Sequence, residues 1–478
     1  MDTLIFYNYL YMYMPSAILV FGAIIVMFSN VFASYFSRNT SLSLCMMFIA
    51  SSMLFCLSVG HISSVSKITL SAEYIILCAS FGFMLLTFSK QKFIELQTQE
   101  FYPLYLFSMA GFMLMVHGEN LILVLLGLEI GSLPLAAMLA FNRRVYGIEG
   151  GIKYFVSSAL ASIFFILGIM LFYIYFGDFS LQRSAYEYQE VLLRGFIMEL
   201  LLLIGMMLML VGLGFKVSLV PWHSWMPDVY EASNPVLAGY VSVVPKIAGF
   251  ALFAIVFFPL LKSDSPSHIY LGNIMKVLLC ITITLPNIMA LVQKDVKRML
   301  AFSSISHSGF ALACIYLDSF DTLVLYWVLF LITNLGAFAM LWMNKPTNYN
   351  TRYDYAFQRF YGFGKTHPIM ALGMALFMLS LAGIPPFSIF WGKIFIVTSA
   401  LQKGEITLAL IMMLNSAIAV CYYLKLIVAM YFKQGEQGFY EDNSTAPIRF
   451  VALLCALLCV GSIFVVSYLF KYIPMLNV

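Results

Sequence analysis

The chain has 478 residues, 62% of them hydrophobic and only 10% charged, and its mean hydropathy is +0.93. A soluble domain carries about 25% charged residues, so this chain is too poor in charge to coat a water-facing surface. That excludes a secreted protein, a nucleic-acid binder and a soluble enzyme, and the net charge of +4 offers no basic face for a polyanion.

A bilayer core about 30 Å thick needs roughly 20 apolar residues per helix. Windows of that size predict about fourteen spans. The first eight lie near 15–36, 41–60, 71–89, 101–116, 119–141, 151–176, 197–217 with a continuation to 230, and 234–260. The others lie near 270–291, 299–317, 320–343, 367–401, 405–432 and 447–470. The longest polar stretches, 177–196, 344–366 and 433–446, are too short for a soluble domain. The expected class is therefore all-α and polytopic, without the alternating pattern of barrel strands and without a cleavable signal or transit peptide.

Lysine and arginine sort unevenly between alternate loops. One set holds fifteen, from Arg38 to Arg449, and the other six, from Lys67 to Lys471. By the positive-inside rule both termini are expected on the outer face, periplasmic or intermembrane-space. The eight cysteines form neither C-x-x-C nor a cluster with histidine, so no metal or iron–sulfur site is expected. With no dinucleotide fingerprint, Walker A loop or nucleophile elbow either, any redox cofactor is expected in other subunits.

Two spans are interrupted by proline. Residues 212–230 read GLGFKVSLVPWHSWMPDVY and residues 380–393 read SLAGIPPFSIFWGK. Proline in a helix frees the carbonyl four residues back, which lipid tolerates only where the backbone faces protein or a wet cavity. One such break reads equally as a kink relieved by neighbouring helices. Two at matching places, each near a lysine, point to an inverted-repeat transporter.

Five lysines fall outside the loops: Lys216, Lys246, Lys276, Lys393 and Lys425, and Glu129 stands mid-span in LILVLLGLEIGSLPLAAMLAF. A charge at mid-membrane costs about 2.5–3.5 kcal/mol on insertion scales, so groups kept there need pairing or water. A lysine–carboxylate pair in a half-wet cavity exchanges protons near neutral pH, as a relay requires. Glu129, Lys216, Lys246 and Lys393 are the expected carriers. Lys276, in the first turns of its span, and Lys425, within reach of the basic face by snorkelling, are secondary candidates. His307, among Ser303, Ser304, Ser306 and Ser308, reads as a relay imidazole or as a satisfied core histidine. His223, just past Pro221, is a secondary candidate, while His61, His117, His268 and His367 sit at span ends and read as interfacial.

The segments GFKVSLVPWHSWMPDVYEASNPV, PKIAGF, NIMALVQKDVKRMLAFSSISHSGF and LAGIPPFSIFWGKIF, in that order, resemble subunit 2 (bacterial subunit N) of respiratory complex I, the NADH:ubiquinone oxidoreductase. The likeness covers roughly residues 70–432, with VHGENLI a departure from the family's usual pattern. The resemblance implies a fourteen-helix antiporter-like subunit with two inverted five-helix repeats. It divides the chain into a three-helix segment (1–100), the repeats (101–260 and 261–432) and a C-terminal helix (433–478). It also implies that Glu129 partners Lys216, that Lys246 is a central-axis lysine, Lys393 a terminal lysine, and His307 a relay residue between the halves. NADH, FMN, iron–sulfur clusters and ubiquinone would be held by other subunits. The implied partners are the other membrane subunits of the complex, especially neighbouring antiporter-like ones, and lipid. The wealth of Phe, Tyr and Met favours a mitochondrial inner membrane, with a bacterial plasma membrane as the alternative. A stand-alone cation/proton antiporter of the same ancestry is the rival function.

Overall fold

Lipid offers no water to a peptide group, so each crossing must satisfy its backbone within itself, and the apolar windows accordingly fold as α-helices. The computed structural model describes residues 2–31, 38–59, 66–90, 96, 98–141, 145–181, 196–262, 266–346, 354–435 and 440–472. Lys92, Arg143, Arg144, Arg183, Arg194 and Arg352, which enter the orientation count, lie outside them, as do His61 and residues 32–36 of the first predicted span.

Among the described residues, the first eight helices are α1 (Asp2–Val31), α2 (Arg38–Val59), α3 (Lys67–Leu86), α4 (Phe101–His117), α5 (Leu121–Ala140), α6 (Val145–Phe176), α7 (Phe196–Lys216) and α8 (Trp225–Ala232). There follow α9 (Pro235–Leu261), α10 (Pro266–Leu291), α11 (Val296–Tyr316) and α12 (Phe320–Met343). The last five are α13 (Phe363–Thr366), α14 (Pro368–Ala382), α15 (Ser388–Gln402), α16 (Ile406–Phe432) and α17 (Ala446–Tyr472). Among the described residues, twelve helices are long and apolar enough to cross a bilayer. The shorter apolar helix α4, and α14 continued past a break by α15, account for the other predicted crossings. α1 and α6 start earlier than predicted, at Asp2 and Val145, because hydropathy marks only the lipid-depth part of a helix whose hydrogen bonds run on into the interface.

Burial sorts the helices into a centre and a rim. The most apolar windows of α9, α11 and α12 are 89%, 94% and 83% buried, against 39% for α1, α2, α6, α10 and α16. The rim turns large apolar side chains such as Leu54, Ile152, Leu160 and Leu414 outward, as a hydrocarbon solvent allows. Helix starts are capped by side-chain oxygens: Asn120 for α5, Asn234 for α9 and Asp295 for α11, which meet orphan N–H groups. Away from the bilayer, two strands, β1 (Asn344–Pro346) and β2 (Tyr440–Asp442), pair antiparallel with Lys345 opposite Glu441. Asp442 joins them to Lys90 and Arg449 through ion pairs of 3.4 and 3.5 Å.

Both proline-rich breaks are real, and each finds its partners in protein. At the end of α7 the freed carbonyl of Phe215 accepts from the indole N–H of Trp225 at 3.2 Å and from Ser218 N–H at 3.1 Å. The N–H of Val220 donates to Thr282 Oγ1 on α10 at 3.1 Å. The α14–α15 break turns on Gly383, whose φ of +82° a side chain would strain, and whose Cβ would come within 2.9 Å of Lys393.

Candidate functional site

Lys216, Lys246, Lys393 and His307 are all buried within protein rather than turned to lipid, while Glu129 is half-buried. Lys216 ends α7 just before the break. Its ammonium donates to Ser132 Oγ on α5 and to Tyr154 Oη on α6 at 3.1 Å, with the Phe112 ring centroid 5.1 Å away. Glu129, one turn before Ser132 on α5, accepts from Ser162 Oγ on α6. Among the described residues no ion pair joins Glu129 to Lys216. The two are linked instead through neighbours on the same two helices.

Lys246 lies at the centre, on α9. Its ammonium donates to the Ser304 carbonyl at 2.7 Å, to Ser304 Oγ at 2.8 Å and to Ser308 Oγ at 2.9 Å, all on α11. One helical turn links those serines to His307, whose Nδ1 shares a 2.6 Å hydrogen bond with Tyr326 Oη of α12. Lys246, His307 and Tyr326 line one cavity of about 20 Å³, room for roughly one water. Further on, the Lys393 ammonium donates to the Ala382 carbonyl at 3.1 Å, meeting an acceptor freed by the α14–α15 break. It also lies 5.3 Å from the Phe310 ring centroid, one turn along α11 from His307.

The secondary candidates lie apart from this line. His223 is half-buried within the α7–α8 break. Lys425 donates to the carbonyls of Leu291 and Gln293 at 3.1 and 2.8 Å, snorkelling to the loop after α10. Lys276 pairs with Glu405 at 2.5 Å, and the Tyr316 hydroxyl donates to the same carboxylate at 3.0 Å.

Glu405 sits in the connection before α16. Its carboxyl is held below the ordinary 4.5 by the Lys276 ammonium first, against burial and with help from Tyr316. A carboxyl lowered on folding stabilises the folded state above its unfolded value and loses that contribution as pH falls through the folded one. Thermal unfolding in detergent is therefore expected to show Glu405→Gln melting below the parent protein at pH 7, with the gap closing as pH drops below 4.5. A gap unchanged across that window would contradict the pairing.

His117 does end α4, but the interfacial reading fails for it. This residue is buried, and its Nε2 lies 2.7 Å from Glu73 Oε1 on α3, itself buried. Cys56 Sγ of α2 donates to the other carboxylate oxygen at 3.7 Å. The packing of α2 and α3 over the end of α4 shields what would otherwise be an interfacial imidazole. Glu73 was legible as a carboxylate inside SAEYIILCAS. Ser132 was legible too, three residues past Glu129 on one helix face. Tyr154 and Ser162 carried no sequence signal, because their place beside α5 and α7 is set by packing.

Residues 118–419 match the family described as NADH:quinone oxidoreductase/Mrp antiporter, TM. The chain is 42% identical over 480 residues to NADH-quinone oxidoreductase subunit N of Helicobacter acinonychis, covering 96% of each chain. Its fold is similar to a chain of respiratory complex I from Thermus thermophilus with bound aureothin, with a TM-score of 0.80, 26% identity and 95% and 98% of the two chains covered. It is also similar to a chain of the Mrp complex from Dietzia, with a TM-score of 0.80 at 16% identity and 97% of each chain covered, a likeness of fold alone.

Proposed function

This chain belongs to the NADH:quinone oxidoreductase/Mrp antiporter membrane family and, within it, to the subunit N proteins of NADH-quinone oxidoreductase, and from that membership we propose that Glu129, Lys216, Lys246, His307 and Lys393 pass protons across the membrane in step with quinone reduction elsewhere in the complex. The chain is a multi-pass membrane subunit of that oxidoreductase, and the redox cofactors are carried by other subunits. Its partners are the other membrane subunits of the assembly.

The observation that carries the reading is the buried file of ionisable groups. Three lysines and a histidine are enclosed among apolar helices, and each lysine has acceptors within protein. A passive bundle gains nothing from retaining groups that cost about 2.5–3.5 kcal/mol each at mid-membrane. The hydroxyls of Tyr154 and Ser132 accept hydrogen bonds from Lys216 Nζ, and either passes a proton on by accepting one from Nζ while releasing its own hydroxyl proton to the next acceptor. The serines of α11 and the small cavity connect Lys246 Nζ to His307, and water bridges the longer intervals. Lys393, on the carbonyl of Ala382, is the far station.

The halves 101–260 and 261–432 act as two repeats in this reading, flanked by the three-helix segment 1–100 and the C-terminal helix 433–478. What supports the division is that each half holds one broken helix with a lysine beside the break. The bacterial sources of the relatives favour a bacterial plasma membrane over a mitochondrial inner membrane. The uneven loop charges favour periplasmic termini.

The test uses the whole complex in liposomes, with NADH and a short-chain quinone, following proton uptake against NADH oxidised. Lys246→Ala is expected to lower protons moved per NADH while the complex still assembles on native gels. An unchanged ratio would remove Lys246 from the relay. Sodium- or potassium-dependent proton exchange by the purified chain alone would overturn the reading in favour of a stand-alone antiporter.

A further inference from the structure

α8 follows the first break and is gripped from both sides through Asp228, in its first turn. Asp228 Oδ2 accepts from Lys153 Nζ of α6 at 2.7 Å, while its Oδ1 accepts from Arg298 Nη1 of α11 at 2.8 Å. Glu149 pairs with the same Lys153 at 2.7 Å, and Glu231 with the same Arg298. Lys297 of α11 donates to the carbonyls of Glu231 and Ser233 at 2.8 Å each, caps that suit the negative end of a helix. The cluster is partly dry: Lys153 and Asp228 side chains are 44% and 30% exposed, Arg298 21%.

One turn before Asp228 on the same short helix, Trp225 packs on Tyr154 with ring centroids 5.1 Å apart. Tyr154 Oη is the partner of Lys216. Arg298 belongs to α11, which presents Ser304 and Ser308 to Lys246. A single carboxylate therefore ties the helix that holds the Lys216 partner to the helix that holds the Lys246 partners. An interaction shared in this way couples the two ends, since moving either helix changes the hold on the other.

We propose that Asp228 is a positioning residue for proton transfer, a shared counter-ion that registers α6 and α11 against α8 so that the surroundings of Lys216 and Lys246 change together. It touches no transferred proton. The inference rests on the reading of Lys216 and Lys246 as proton carriers.

The test measures protons moved per NADH oxidised in the reconstituted complex, normalised to assembled complex. Asp228→Asn is expected to lower that ratio roughly two-fold or more, within the range by which changes along coupled networks act, and Asp228→Glu to restore most of it. A purely structural role would lower the amount of complex and leave the ratio per assembled complex intact. Should Asp228→Asn fail to assemble, Lys153→Met decides: it leaves the Asp228–Arg298 pair in place and is expected to lower the ratio likewise. A wild-type ratio in the assembled variant overturns the proposal. Lys216→Ala run in parallel separates the failures, because a normal ratio there would sink the relay itself, and a loss there with a normal Asp228→Asn would sink only the shared counter-ion.

Discussion

Replacing Lys216 by alanine is expected to abolish NADH-driven proton movement through this subunit while leaving the complex assembled. The charge itself disfavours the membrane-embedded fold by about 2.5–3.5 kcal/mol, and its removal relieves that. The losses on the other side are the hydrogen bonds to Ser132 and Tyr154 and the contact with the Phe112 ring, the last worth about 2 kcal/mol when desolvated. These opposing effects are similar in size, so assembly survives and the defect falls on transport. Lys216→Arg is the sharper variant. It keeps a positive charge near Tyr154 and Phe112, but a guanidinium with a pKa above about 12 releases no proton. A relay therefore predicts that arginine is as inactive as alanine, whereas a structural charge predicts rescue. Proton uptake and native-gel abundance, measured on the same preparations, separate the two outcomes.

Gly111→Val is expected to remove most of the assembled subunit. α4 and α5 touch backbone to backbone: a Cβ on Gly111 would lie 2.5 Å from the Ile130 carbonyl carbon and 2.7 Å from Gly131 Cα, and one on Gly127 would lie 2.8 Å from Gly111 O. Small residues allow such an approach between membrane helices. No side chain can rotate aside to admit a valine, so the cost reaches or exceeds the roughly 1–3 kcal/mol usual for overpacking. The displacement falls on the site, because Ser108 Oγ donates to the Gly131 carbonyl at 2.9 Å and Ser132, next along α5, accepts from Lys216. Gly111→Ala is expected to show a smaller defect in both native-gel abundance and thermal stability. Gly272→Ala on α10, where a Cβ meets no atom within 4 Å, is the matched control and is expected to be tolerated. Equal tolerance of valine at position 111 would contradict the close packing.

Hydropathy and helix breaks were readable because their causes are local. A lipid-crossing segment satisfies its backbone within itself, so twenty apolar letters name a helix, and Pro221 or Pro385 names its interruption wherever the neighbours lie. The same locality made Lys216, Lys246, Lys393 and His307 stand out as costly groups in apolar runs. It misjudged His117, whose place at the end of an apolar run says nothing about α2 and α3 covering it with Glu73. For Lys425, the same local reading named the basic face as one destination, and packing supplied the carbonyls of Leu291 and Gln293 that receive it.

By itself the sequence determined that this chain crosses a membrane many times, where its helices break, and which ionisable groups fall within its apolar runs. Only the tertiary structure decided what those groups touch: Lys216 meets Ser132 and Tyr154 rather than Glu129, and Lys246 meets three oxygens of α11. The reason is that burial of a segment follows from its own composition. A hydrogen bond between helices depends on how each is rotated and how closely its neighbours approach, and the packing of glycines and aromatic rings far apart in the chain sets both.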